Sequence, residues 1–297
     1  MEKLNIPVGI SDFREIRENG YYYIDKTFLI YELLKTPATK VTLITRPRRF
    51  GKTLGMSMLA DFFDIRKESS SLFEGLDISE KTNICNEWLN QYPVIFLSLK
   101  DIDGLTFKDA YGQLVAQIAD LYKEYTYLLE CAEIDEDDKK IFLDLKAGKA
   151  DKVQVSRSFS TLMKMLQIYY QKPVILLLDE YDVPVAKASN HGYYNEMLDV
   201  MKGIMSTALK DNQALRFAVI TGCLKIAKES IFTGTNNFVS DTIRDSRYNE
   251  YFGFTQAEVD IILKDADCTE HAENVREWYD GYHFGEVDVY CPWDVMN

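Results

Sequence analysis

The run Val41-Thr-Leu-Ile-Thr45-Arg46-Pro47-Arg48-Arg49-Phe50-Gly51-Lys52-Thr53-Leu54 leaves a chain few ways to fold. Its β-branched apolar start predicts a strand, its glycine a sharp turn, and the apolar spacing that follows a helix. Strand, loop and helix in this order make the frame of a phosphate-binding loop, where loop N–H groups and the positive helix N-terminus face an anion. In that frame Lys52 reaches the β and γ phosphates and the Thr53 hydroxyl ligates Mg²⁺. The full consensus has a glycine where this chain has Arg46, and Gly-Lys-Thr alone also begins ordinary helices. Arg46, Pro47, Arg48, Arg49, Phe50, Gly51, Lys52, Thr53 and Leu54 are the candidate nucleotide contacts.

A second stretch, Val174-Ile-Leu-Leu-Leu178-Asp179-Glu180-Tyr-Asp182, lies about 120 residues downstream. Five consecutive aliphatic residues predict a central strand buried on both faces. The carboxyl end of such a strand is where open α/β sheets bind ligands. In P-loop ATPases an aspartate here holds Mg²⁺ and a following glutamate can polarise the attacking water. That assigns Asp179 to the metal, with Thr53, and Glu180 to the chemistry. The local alternative is a strand that stops at a polar turn, but the two motifs in this order reinforce one another. A third apolar run, Leu215-Arg-Phe-Ala-Val-Ile220-Thr221-Gly222, ends in a small hydroxyl residue. Additional-strand P-loop ATPases place a sensor there, which makes Thr221 the candidate, against an ordinary Thr-Gly turn. Arg244 and Arg247, in Asp241-Thr-Ile-Arg244-Asp-Ser-Arg247, are candidates for stabilising transition-state charge, against surface pairing with Asp241 and Asp245.

Composition narrows the classes. The net charge of −13 argues against a general nucleic-acid surface, so nucleic acid enters only as an indirect partner. Within this acidic chain Arg46, Arg48, Arg49 and Lys52 crowd into seven residues, as a polyphosphate site requires. No apolar run approaches the length of a membrane span, and the N-terminus lacks a signal-peptide core. Five cysteines without a CxxC pair read as reduced thiols in a cytoplasmic protein. His191, His271 and His283 are too far apart in sequence to suggest a zinc site.

Strand and helix signals alternate from Val41 to Thr221, which predicts a mostly parallel sheet covered on both faces. Helices are predicted over 28–34 (capped by Asp25 or Thr27), 54–65, 107–128, 158–170 and 193–209, a strand over 93–99, and an acidic loop over 133–140. Tyr21, Tyr22 and Tyr23 read as core rather than as an adenine pocket. Beyond Gly222 the character changes. A capping box, Thr255-Gln-Ala-Glu258, opens one helix, and a second runs to Tyr279. An Asp280-Gly281 turn then leads into a small hairpin over 282–290. The chain divides into an ATPase-type core with an N-terminal segment, 1–222, and a helical, winged-helix-like appendage, 223–297.

Six stretches together resemble the AAA-ATPase-like family of predicted bacterial ATPases. They are Gly9-Ile-Ser-Asp-Phe13, Tyr23-Ile-Asp25-Lys26-Thr27, the Leu43 to Thr53 run, Leu178-Asp-Glu-Tyr-Asp182, Phe252-Gly-Phe-Thr255 and Trp278-Tyr-Asp-Gly-Tyr282. The Arg-Pro-Arg-Arg-Phe-Gly-Lys-Thr form is usual in that family, so Arg46 in place of glycine is no departure from it. The resemblance implies an α/β fold: a P-loop NTPase core of the additional-strand type, related to AAA+ and signalling ATPases, with a C-terminal helical lid. It also implies ATP, in preference to GTP, with Mg²⁺ as cofactors. Family members commonly continue into a nuclease-like domain of the PD-(D/E)XK kind. No such constellation stands out here, and Glu180 to Lys187 has the wrong spacing, so this sequence reads as an ATPase fragment or a shortened relative for which nuclease activity is not expected. The leading expectation is Mg-dependent ATP hydrolysis that drives a change in a protein partner or a missing C-terminal domain. A regulatory nucleotide switch with negligible turnover is one alternative; an interaction module with a degenerate loop is the other.

Overall fold

Five strands of the chain lie in one sheet: β1 (Val41–Thr45), β2 (Val94–Ser98), β3 (Val174–Asp179), β4 (Leu215–Gly222) and β5 (Phe238–Asp241). This computed structural model describes residues 4–226, 231, 232, 238–279 and 281–297. The sheet is parallel, in the order β2-β3-β4-β1-β5. Every residue of β1 and of β3 is buried. Burial on both faces removes the apolar–polar alternation of a one-sided strand, which is why both read as unbroken apolar runs. The register sets Ser98 of β2 beside Asp179, and Leu178 beside Ile220 of β4. Asp179, the last residue of β3, and Thr221, the penultimate residue of β4, therefore lie at one end of the sheet.

The chain forms two compact units. One comprises Ala38–Leu43 and Tyr92–Val239; the other comprises Met1–Pro37, Ile44–Gln91 and Ser240–Asn297. In the first unit, Leu176 and Leu178 of β3 join a core with Ile118, Leu162, Leu166, Met197 and Ile204 from the helices Phe107–Glu124, Ser158–Tyr170 and Tyr194–Leu209. Each such side chain contributes roughly 1.5–3 kcal/mol on burial. The long amphipathic helix stops at Glu124 rather than at 128 and gives way to a 3₁₀ turn, Thr126–Glu130. Tyr125, at the junction, is buried and donates its hydroxyl to the Val94 carbonyl at 2.8 Å. The acidic stretch predicted as a loop is half helix. Asp135 caps Glu136–Lys146, whose three first-turn carboxylates face the positive end of the helix dipole and whose Phe142 and Leu145 are buried. A helix absent from the sequence reading, Val183–His191, follows β3 directly, with Pro184 in its first turn.

In the second unit the helix after the glycine turn is Lys52–Phe63, two residues earlier than predicted. A separate antiparallel sheet contains β6 (Phe254–Thr255), β7 (Tyr282–Phe284) and β8 (Val287–Tyr290), in the order β6-β8-β7. The capping box forms in both directions between Thr255 and Glu258 and opens the helix Gln256–Asp265. That helix packs Val259, Ile262 and Leu263 against Phe254 and Tyr290. Asp25 accepts bonds from the Thr27 N–H and hydroxyl, while the Phe28–Leu34 helix has no side-chain cap. Tyr23 sets its ring edge-on to buried Phe13 at 5.4 Å, a core contact. Asp280 of the predicted turn lies outside the described residues. Among the described residues no helix is long and apolar enough to cross a membrane.

Candidate functional site

The loop after β1 is shaped by two left-handed residues, Arg49 at φ 70° and Gly51 at φ 77°. A Cβ on Gly51 would meet nothing within 4 Å, so glycine is favoured there by backbone angle rather than by space. Left-handed residues turn successive N–H groups to one side of a loop and make an anion-binding hollow. The helix begins at once with Lys52, which is only 4% exposed. Its Nζ folds back over the loop and donates to the carbonyls of Arg46 at 3.0 Å and Pro47 at 2.8 Å. Thr53 and Leu54 follow in the first turn, both half-buried.

The loop residues divide sharply by exposure. Arg48 and Arg49 are exposed, and the Arg49 guanidinium lies 4.6 Å from the centre of the Trp293 ring. Phe50 is buried against Tyr282 and Phe284 at ring separations of 4.8 and 5.2 Å. Arg46 is fully buried and paired with Asp241 at 2.5 Å. Burial lowers the Arg46 pKa and raises that of Asp241, although each charge favours the other. Desolvation thus works against both charges while their pairing supports them. Of the two downstream arginines, Arg247 donates to the Glu32 carbonyl at 3.1 Å and to the Thr36 hydroxyl, whereas Arg244 is exposed.

In the other unit the acidic motif is held by the segment that follows β4. Asp179 is fully buried and accepts a hydrogen bond from the Thr221 hydroxyl. Glu180, half-buried, adopts φ 55°, a left-handed conformation that costs a non-glycine residue on the order of 1 kcal/mol or more. Tyr181 donates its hydroxyl to the Leu224 carbonyl and accepts the Ile226 N–H, both at 3.0 Å. Burial raises the Tyr181 hydroxyl pKa. The buried Asp182 carboxylate accepts the N–H groups of Cys223 at 3.2 Å and Leu224 at 2.8 Å. Gly222 leaves room for this: a Cβ there would stand 2.5 Å from Asp182 Oδ1 and 2.7 Å from the Tyr181 ring. Sequence reasoning passed over Tyr181, Asp182, Gly222 and Asp241. For Tyr181 and Asp182 the available signal was the Leu-Asp-Glu-Tyr-Asp run itself.

Thr53 in one unit and Asp179 in the other each carry a side-chain oxygen of the hard kind that Mg²⁺ takes. Among the described residues no group of three or more His, Cys, Asp or Glu side chains could hold a metal ion. Comparison with known proteins adds three findings. The model of a family described as predicted AAA-ATPase matches residues 7–232. An uncharacterized protein in the vnfD 5′ region of Azotobacter chroococcum mcd 1 is 30% identical over 299 residues, a match covering 100% of this chain and 52% of the relative. The chain therefore spans about half the length of that relative. No solved structure matches.

Proposed function

We propose, because this chain belongs to the AAA-ATPase-like family of predicted AAA-ATPases, that it binds ATP with Mg²⁺ and hydrolyses it. The observation that carries this reading is the loop itself. A fully buried strand runs into a turn closed by left-handed Gly51, and Lys52 lies over the loop carbonyls at the head of a twelve-residue helix. Lys52 would meet the β and γ phosphates, with Thr53 and Asp179 holding Mg²⁺. Glu180 would orient the water or draw off its proton, and Arg244 or Arg247 would offset charge in the transition state. Positioning and charge neutralisation do most of the work in phosphoryl transfer, and these are what rigid strand ends supply.

The sheet order favours the additional-strand type of P-loop core. In that type one strand separates the strand of the phosphate loop from the strand of the acidic pair, and here β4 stands between β1 and β3. Thr221 is the penultimate residue of that intervening strand, where a sensor would sit. The three-stranded sheet and the helices Gln256–Asp265 and Ala272–Tyr279 suit a small winged-helix-like appendage. Hydrolysis would drive a change in a protein partner or an attached domain.

Phosphate release with and without Mg²⁺, alongside equilibrium ATP and GTP binding, tests the proposal. Mg-dependent turnover with tighter binding of ATP supports it. Tight binding without turnover would replace the enzyme by a nucleotide switch, and absence of binding would end both.

A further inference from the structure

Arg46 stands where the phosphate-loop consensus has glycine, and its charge is spent inside the protein. The side chain is 0% exposed. Nη2 donates to Asp241 Oδ1 at 2.5 Å, and Nη1 donates to the carbonyls of Thr45 at 2.9 Å and Asp241 at 3.3 Å. The guanidinium lies 5.7 Å from the centre of the Phe252 ring and 5.2 Å from that of Phe284. Its Nε is buried without a hydrogen-bond partner among the described residues. A cation so enclosed cannot reach a ligand without abandoning every one of these contacts. Arg48, by contrast, is exposed.

We propose that Asp241 is a positioning residue for nucleotide binding, which acts through Arg46 to set the place of Lys52. The connection is continuous. Asp241, the last residue of β5, grips the Arg46 guanidinium, and Arg46 also bonds the carbonyl of Thr45, the last residue of β1. The side chain thus fixes where the chain leaves the sheet. The Arg46 main-chain carbonyl is in turn one of the two acceptors that hold Lys52 Nζ. Loss of the Asp241 charge frees Arg46, and the carbonyl that orients the phosphate lysine moves with it. Arg46 and Asp241 touch no phosphate, and the loop charge left to a nucleotide comes from Lys52, Arg48 and Arg49. This inference rests on the nucleotide-binding reading above.

The test is calorimetric titration of ATP with Mg²⁺ into the parent protein, Asp241→Asn, Arg46→Met and the double variant Arg46→Met/Asp241→Leu. Each titration is run at a temperature where its melting curve shows a folded protein. Asp241→Asn should raise Kd by about tenfold or more, the scale on which partners of a binding group act, at unchanged stoichiometry. A merely structural defect would instead lower the number of sites and leave Kd alone. Arg46→Met strands a buried carboxylate and should also weaken binding. The double variant replaces the ion pair with apolar groups of similar volume, a change proteins commonly tolerate, and should return Kd to within about threefold of the parent. Parental affinity in Asp241→Asn would overturn the proposal, as would a double variant no better than Arg46→Met, since the guanidinium would then be meeting the nucleotide itself. A parent that binds no ATP would instead remove the nucleotide reading, and this inference with it.

Discussion

Gly222→Ala should damage the acidic motif more than any other exchange of glycine for alanine around it. The new methyl would stand 2.5 Å from Asp182 Oδ1 and 2.7 and 2.8 Å from two Tyr181 ring atoms, where ordinary contact begins at 3.4 Å. Roughly 1 Å of movement is needed, and both neighbours are anchored. Asp182 accepts the Cys223 and Leu224 N–H groups, while the Tyr181 hydroxyl is bonded to Leu224 and Ile226. Overpacking a tight site costs about 1–3 kcal/mol. Breaking a hydrogen bond to a charged group costs about 1.5–3 kcal/mol. The variant should therefore lose about 2–4 kcal/mol, or roughly 5–15 °C in Tm for a unit of this size. Gly51→Ala is the control. It meets no atom within 4 Å, and forcing an L-residue to φ 77° should cost only about 1–2 kcal/mol. Urea unfolding followed by circular dichroism reads both changes as midpoint shifts at constant slope. Gly222→Ala within about 0.5 kcal/mol of the parent, inside the ordinary range of surface substitutions, would refute the steric argument.

Mg-ATP at a hundredfold excess over Kd should stabilise the protein by about 2.7 kcal/mol; Lys52→Ala should lose that gain, and a Lys52→Ala protein that melts with the parental ATP shift would break the phosphate-loop assignment. Glu180→Gln should lower kcat by a factor on the order of 10²–10⁴ and leave ATP affinity intact, whereas Asp179→Asn should weaken Mg-dependent binding; single-turnover hydrolysis beside equilibrium binding separates the two, and parental turnover in Glu180→Gln would remove the general-base role. Burial, their largest cause, raises the hydroxyl pKa values of Tyr22, Tyr23, Tyr122 and Tyr181 and pushes that of Tyr251 up to about 12, from an ordinary value of 10.0. Groups raised on folding contribute stability that is complete below the unfolded value and lost as pH rises through the folded one. Alkaline unfolding should therefore set in above pH 10, with tyrosinate absorbance and loss of circular dichroism rising together; full ionisation near pH 10 in a still-folded protein would contradict it.

The parts of the fold carried by local pattern were legible. Five aliphatic residues before Asp179 marked β3, the 158–170 periodicity coincides with the helix Ser158–Tyr170, and Thr255 and Glu258 announced their own cap. Two helices hid behind chemistry that usually means a turn. Asp182-Val-Pro184 looks like a chain reversal, yet proline's fixed φ suits the first turn of Val183–His191. The charges at 133–140 look like a solvated loop, yet they are the acidic first turn of Glu136–Lys146. The site was legible as motifs and illegible as a network. The Asp241 partner of Arg46 lies 195 residues away, and the backbone groups bound by Asp182 more than 40. Neither separation leaves a trace in helical or strand periodicity.

The unit that carries Arg46, Gly51 and Lys52 is assembled from three separated stretches, the last of them Ser240–Asn297. On the ribosome this fixes a timetable. At about 5–20 residues per second, Asp241 follows Arg46 into existence only after roughly 10–40 s. Through that interval the other unit, drawn almost entirely from Tyr92–Val239, can gather its own core from chain already made. The loop cannot settle likewise, because Asp241, Phe252, Phe284 and Trp293, which hold Arg46 and Arg49, are still to be synthesised. A nascent chain interrupted before Ser240 would thus carry the whole Arg-Pro-Arg-Arg-Phe-Gly-Lys-Thr signature without the scaffold that shapes it. On the proposed reading, competence for nucleotide would arrive late in translation, and unfinished copies would not engage the ligand.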